Sequence, residues 1–206
     1  MSGLSSIHAC IAVTGAKGSG KSTFAKELYM RFEANSVYKV HIRGFATPIK
    51  EEVLDVLVRA LGIDSNYDVE RVFSAYIKQN YPPIRKLLQD WGDWKKQNHP
   101  SYFLDKMYTR MSLLHNYSRS TRYIFIIPDL RFPEELEFLQ TTFGNRLRTY
   151  TVANKNVLDN PDTHVSEAHW NTLKPDAIID NSGTLRDLGK LADKEFDYIY
   201  ERILEY

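Results

Sequence analysis

The sequence predicts an α/β protein with a largely parallel central sheet. Three observations predict it: apolar, β-prone runs recur along the chain, stretches of helical periodicity separate them, and the first run passes through a glycine-rich turn directly into a helix. Parallel strands need crossover connections of a dozen or more residues, which these helical stretches supply.

Residues 7–13 form the first apolar run, with Cys10 at its middle, where a small buried thiol is the ordinary case. Residues 15–22 then read GAKGSGKS, a match to Gly-x-x-x-x-Gly-Lys-Ser/Thr. Gly15, Gly18 and Gly20 permit backbone angles that a Cβ forbids, so the amides of the loop, which also contains Ala16, Lys17 and Ser19, can turn inward around a phosphate. Lys21 supplies a point charge to the β- and γ-phosphates, and Ser22 a hydroxyl to Mg²⁺. Thr23 follows in the first turn of a helix that places Phe24, Leu28 and Phe32 on one face. The loop thus ends at a helix N-terminus, whose dipole favours an anion. A nucleoside triphosphate is the expected ligand.

A second strand is expected over residues 37–42, followed by a helix in which Val53, Leu54, Leu57, Val58 and Leu61 share a face. Residues 62–83 form a polar, Tyr-rich connection without a core pattern, a length that points to a binding segment or lid. The spacing of Ile84, Leu87, Leu88 and Trp91 predicts a helix over residues 83–97, opened by Pro83. A different face carries Arg85, Gln89 and Lys96 beside Gly92: a guanidinium fork, an amide, an ammonium and a gap that could admit a planar ligand. Taken alone, that face reads equally as a solvated polar surface. Phe103, Leu104, Met107, Met111 and Leu114 predict the next helix.

Residues 123–127 form a third apolar strand that runs on to Asp129, an arrangement that places a carboxylate near the phosphate-loop serine and Mg²⁺. Arg131, two residues on, could grip an acceptor phosphate or the transferred phosphoryl group. Pro133 opens a helix whose first turn holds Glu134 and Glu135, acids that complement the helix dipole or face the acceptor. A fourth strand spans residues 147–152. The polar loop 153–165 closes on His164, with Glu167 just beyond; both have structural readings, as a hydrogen-bonding histidine and a helix-start acid. A short strand over residues 177–179 and a last helix over 185–204 complete the chain.

At 206 residues the chain is expected to be one domain with room for a small inserted subdomain. The net charge of +1 argues against a broad nucleic-acid or membrane footprint. A single cysteine excludes a disulfide framework and a cysteine-based metal site. With no secretory leader pattern and no apolar run of membrane-spanning length, the expected location is the reducing cytoplasm.

In order and spacing, GAKGSGKS, GFATPIKE (44–51), Arg85-Lys-Leu-Leu-Gln89-Asp-Trp-Gly92, Asp129-Leu-Arg131-Phe-Pro-Glu-Glu135, His164-Val-Ser-Glu167 and Asp180-Asn181-Ser-Gly183 resemble the bacteriophage deoxynucleoside monophosphate kinase family. The resemblance covers almost the whole chain. It implies a three-layer P-loop kinase fold related to adenylate kinase, a single domain over 1–206 with an acceptor-binding insertion over 62–100 and a lid over 153–167. It also implies transfer of the γ-phosphoryl group of ATP, with Mg²⁺, to a deoxynucleoside 5′-monophosphate. By that likeness Lys21, Asp129 and Arg131 are catalytic, Ser22 and Asp129 hold the metal, and Asn181 and Gly183 join residues 15–23 in binding ATP. Arg85, Gln89, Gly92, Lys96, Arg131, Glu135, His164 and Glu167 would bind the acceptor. Expected partners are small-molecule nucleotides and, at most, a second copy of the chain.

The chain departs from the family pattern twice. Lys95-Lys96-Gln97 stands where family members typically have an arginine, and residues 153–167 hold Lys155 as their only Lys or Arg, leaving Arg146 and Arg148 as nearby substitutes. Two other functions fit parts of the sequence: a kinase of another small phosphorylated acceptor such as phosphomevalonate, and a non-catalytic nucleotide-binding switch. Tyr76, Tyr81, Trp91 and Trp94, with Gln89, favour a planar base.

Overall fold

A computed structural model describes residues 4–35, 37–61, 82–117, 120–157 and 171–204. In chain order these form β1 (Ile7–Thr14), α1 (Lys21–Ala34), β2 (Tyr38–Ile42), α2 (Thr47–Leu61), α3 (Pro82–Asn98) and α4 (Tyr102–Tyr117). Then come β3 (Arg122–Ile127), α5 (Pro133–Phe143), β4 (Leu147–Ala153), β5 (Ala177–Asp180) and α6 (Leu185–Ile199). The chain divides into two compact units, residues 1–44 with 109–206, and residues 45–108.

The first unit is built on a sheet of five strands in the order β2-β3-β1-β4-β5, every described pairing parallel. Because a parallel sheet is covered on both faces, its central strands are apolar at nearly every position rather than alternating. Ile11, Val13, Ile124, Ile126 and Val152 pack with Phe24, Leu28 and Phe32 of α1 and Leu188 and Ala192 of α6 in one buried cluster. Cys10, Ala12, Phe125 and Ile127 alternate with them and are equally buried. Leu139 and Phe143 of α5 are buried too, and α5 packs on β1 and β4. Each large side chain so buried contributes roughly 1.5–3 kcal/mol. The three-layer α/β architecture read from the sequence is what forms.

The order of the strands positions the site. From β1 the chain crosses to β2 on one side, whereas from β3, the neighbour of β1, it crosses to β4 on the other. The loops leaving β1 and β3 therefore diverge at the carboxyl edge and open a crevice, the place where open α/β sheets bind ligands. The phosphate loop and Asp129 follow these two strands. A hydrogen bond from the Leu130 amide to the Val13 carbonyl, 3.1 Å, joins the segment after β3 to the end of β1.

The second unit contains α2, α3 and the first part of α4. Ile49, Val53, Leu54 and Tyr102 form its small core, with Ile84, Leu88, Trp91 and Phe103 half-buried against it. The side chains of Leu57, Val58 and Leu61, placed on the same stripe by the sequence, lie outside the described residues. Leu87 departs from its expected place: it is 39% exposed, while among the described residues Ile84, Leu88 and Trp91 of α3 pack against the small core. The last helix is α-helical only to Ile199 and continues as a π-helical turn over Tyr200–Leu204. Among the described residues no helix is long and apolar enough to cross a membrane.

Candidate phosphate-binding site

The loop between β1 and α1 turns on three glycines with positive φ, Gly15, Gly18 and Gly20. Gly20 is the N-cap of α1 at φ 99°, so no capping side chain closes the helix and its first amides stay directed at the loop. Lys21 folds back, its Nζ donating to the carbonyls of Gly15 at 2.8 Å and Ala16 at 2.6 Å. Ser22 and Thr23 are exposed at the start of α1, as are Lys17 and Gly18 within the loop. The hydroxyls of Thr14 and Ser19, each about 1% exposed, have no hydrogen-bond partner. Two orphaned buried hydroxyls, one within a glycine-rich loop and one just before it, fit a ligand rich in acceptor oxygens, as a polyphosphate is.

Asp129 and Arg131 stand across the crevice, both half-buried. Gly44, at the end of β2, approaches the Asp129 carboxylate so closely that a Cβ would overlap both of its oxygens. Within the GFATPIKE segment the sequence assigns this glycine no role. Its signal is a glycine in the short connection between a strand and a helix. The oxygens of Asp129 and the hydroxyl of Ser22 are hard ligands of the kind Mg²⁺ takes.

Glu135, expected among the acceptor ligands, does something else. It is 4% exposed, and its Oε2 accepts the amides of Arg131 at 2.8 Å and Phe132 at 3.1 Å. Burial and the negative charge of Asp129 push its carboxyl up to about 8, against the pull of those two amides and of Arg131. The carboxyl thus fixes the backbone that presents Arg131, which is the helix-start reading of this acid in a buried form. Glu134 is exposed beside it.

Neither Arg146 nor Arg148 substitutes for a lid arginine. Arg146 donates to the carbonyls of Ile7 and Leu4, and Arg148 lies 4.2 Å from the Tyr198 ring centroid and 3.6 Å from Glu195. Ile7 opens β1, whereas the phosphate loop follows its other end, about 23 Å away at 3.3 Å per residue.

Two expected ATP ligands belong to the turn after β5. The Asn181 side-chain amide donates to the Ser19 carbonyl at 2.8 Å. Gly183 immediately precedes Thr184, whose side chain accepts from the Asp187 amide to cap α6. Lys155 reaches the same turn, its amide donating to Ser182 Oγ at 2.9 Å.

Arg85, Gln89 and Lys96 belong to the second unit and are half-buried on α3. Gly92 is not the open gap the sequence suggested: a Cβ there would meet Ile49 Cδ1 at 3.1 Å, so the missing side chain lets α2 pack close. Trp91 and Lys95 turn to Glu52. The Trp91 indole donates to Glu52 at 3.0 Å, Lys95 pairs with it at 2.8 Å, and the Tyr102 hydroxyl also donates to it. Lys95 also lies 4.9 Å from the Tyr102 ring centroid. Lys95, in the stretch where the family has an arginine, is thus spent on this hub. His164, Glu167, Tyr76 and Tyr81 lie outside the described residues, as does the part of the expected lid beyond residue 157.

No protein-family model matches the chain, and no curated protein matches it by sequence. Among solved structures it is similar to a gluconokinase from Sinorhizobium meliloti 1021, 12% identical over 95% of each chain, with a TM-score of 0.47. Identity this low carries neither substrate nor activity from that enzyme to this chain.

Proposed function

We propose that this protein is an ATP-dependent phosphotransferase that phosphorylates a deoxynucleoside monophosphate. What carries the reading is the phosphate loop at the point where the sheet's connections diverge, with Asp129 on the adjoining strand end. Phosphoryl transfer asks little covalent work of a protein; positioning and charge neutralisation are enough. Ser22 and Asp129 would hold Mg²⁺, which when bound neutralises charge on the phosphate oxygens. Lys21 leaves the carbonyls of Gly15 and Ala16 for the β- and γ-phosphates, where its charge is worth more than at two neutral carbonyls. Arg131, its backbone fixed by Glu135, meets the transferred group or the acceptor phosphate.

Support for the acceptor comes from the resemblance of motifs and from the chemistry of Arg85 and Gln89, four residues apart on one helix. Arginine grips a phosphate through two parallel hydrogen bonds, and an amide discriminates base edges. The test is ADP release from Mg²⁺-ATP screened over the deoxynucleoside monophosphates, their ribose counterparts and phosphomevalonate. Release that depends on one or more deoxynucleoside monophosphates is expected. Release with phosphomevalonate alone would replace the acceptor class, and ATP binding without acceptor-dependent turnover would make the protein a nucleotide-binding switch.

A further inference from the structure

We infer that Asn181 is a positioning residue that aims the phosphate loop from behind, rather than a contact for the nucleotide base. The inference rests on the nucleotide-binding reading and concerns how the loop is held. In a trans peptide the C=O and N–H point in opposite directions. The Asn181 side-chain amide holds the Ser19 carbonyl at 2.8 Å, so the N–H of Gly20, across the same peptide plane, is directed away from Asn181. Gly20 confirms how close the grip is: at φ +99° it sits in a conformation that suits glycine, and a Cβ there would overlap Asn181 Nδ2.

Asn181 is itself anchored, its backbone amide donating to the Ala153 carbonyl at 2.7 Å as the sheet ends. The residues on either side tie the turn to the chain that leaves β4. Ser182 Oγ accepts from the Lys155 amide at 2.9 Å, and Asp180 lies 3.4 Å from the Lys155 ammonium. Asp180 also accepts from the Ser182 amide at 3.0 Å, which holds the turn tight. With its NH₂ group donating to a backbone carbonyl, the Asn181 side chain has one hydrogen committed behind the loop. The turn 180–182 is therefore a brace between the phosphate loop and the end of β4.

The two roles separate by binding to ligands with and without a base. Titration calorimetry of wild type, Asn181→Leu and Asn181→Asp would use Mg²⁺-ATP and Mg²⁺-tripolyphosphate. Leucine removes the donor at similar volume, and aspartate keeps the shape while replacing the NH₂ with an oxygen that repels the carbonyl. If Asn181 aims the loop, both variants lose affinity for both ligands by the same factor, about tenfold for one well-placed hydrogen bond. A loss for ATP with tripolyphosphate binding unchanged would assign Asn181 to the base and overturn the inference, as would unchanged binding of both. A wild-type protein that binds neither ligand would instead remove the nucleotide-binding reading itself. Gly20→Ala gives an independent check, because its Cβ pushes on the same amide. Combined with Asn181→Ala, which clears that space, it should cost less than the sum of the two single changes; strict additivity would count against the brace.

Discussion

The two units of the molecule hold their functional side chains in different ways. In the first, the phosphate loop and Asp129 extend from strands buried at every position except His8 and Arg122, so the strand ends are fixed by packing on both faces of a sheet. In the second, α3 has no fully buried residue, and a polar hub at Glu52 does part of the work that packing does elsewhere. A dry core resists displacement because every shift forfeits many contacts at once, whereas a half-exposed hub of hydrogen bonds can be exchanged for water. Under the proposed function, the difference would suit a donor site that must be preorganised and an acceptor surface that must adapt to what it binds.

The most severe way to break the first unit's site without touching its core is Lys21→Ala. Turnover at saturating ATP is expected to fall by about 10²-fold or more, since a charge directed at the transferring phosphates is lost. Lys21 bonds two loop carbonyls and is only half-buried, so thermal melting should change far less than turnover. A variant with near-normal turnover would remove Lys21 from the mechanism.

Next in size, Gly44→Ala tests whether packing fixes Asp129. The new Cβ cannot coexist with the carboxylate where it stands, so the Mg²⁺ concentration for half-maximal turnover is expected to rise about tenfold, the scale seen when a metal ligand's support is removed. Asp129→Asn should act in the same direction, and the pair together should be less than additive. An unchanged metal titration in Gly44→Ala would mean that Asp129 has another place to go.

Arg85→Lys probes the second unit. Acceptor KM should rise several-fold to tenfold while ATP KM stays constant, because lysine keeps the charge and loses the fork. Gln89→Leu should shift the order of preference among bases. If both variants keep wild-type acceptor KM and selectivity, α3 is only packing.

The smallest effect is expected at Glu52. Burial draws its carboxyl upward, but hydrogen bonds from Lys95, Tyr102 and Trp91 outweigh it and hold the group below the ordinary carboxylate range. A carboxyl depressed in the folded state adds stability above its unfolded pKa and loses it as pH falls through the folded value. Glu52→Gln should therefore destabilise residues 45–108 by about 1 kcal/mol near neutral pH, and the difference should shrink below about pH 4.5. Hydrogen exchange resolved by region would show it; equal loss of protection in the sheet would contradict the separate character of the two units.

Much of the first unit was legible in the sequence. The strand, glycine-rich loop and helix follow one another within 28 residues from Ile7 to Ala34, and each is specified by local rules: β-branched run, phosphate-loop spacing, helical stripe. Lys21 and Ser22 were nameable for that reason, and Asp129 because the apolar run 123–127 leads into it. In the second unit the same periodicity gave the helices and misjudged their faces. Leu87 and Gly92 were placed by counting residues around a wheel, and only the partner helix decides that Ile49 fills the space beside Gly92.

By itself, then, the sequence determined whatever depends on neighbours along the chain: the α/β alternation, the parallel sheet, the phosphate loop and the acid after β3. Tertiary structure decided what depends on residues far apart in sequence. Gly44 meets Asp129 across 85 positions, Asn181 meets Ser19 across 162, and Glu52 gathers partners 39 and 50 residues away. A glycine or an amide has no periodicity to betray such a partner. Its role exists only once the sheet has brought strand ends together, and no local rule encodes which ends those will be.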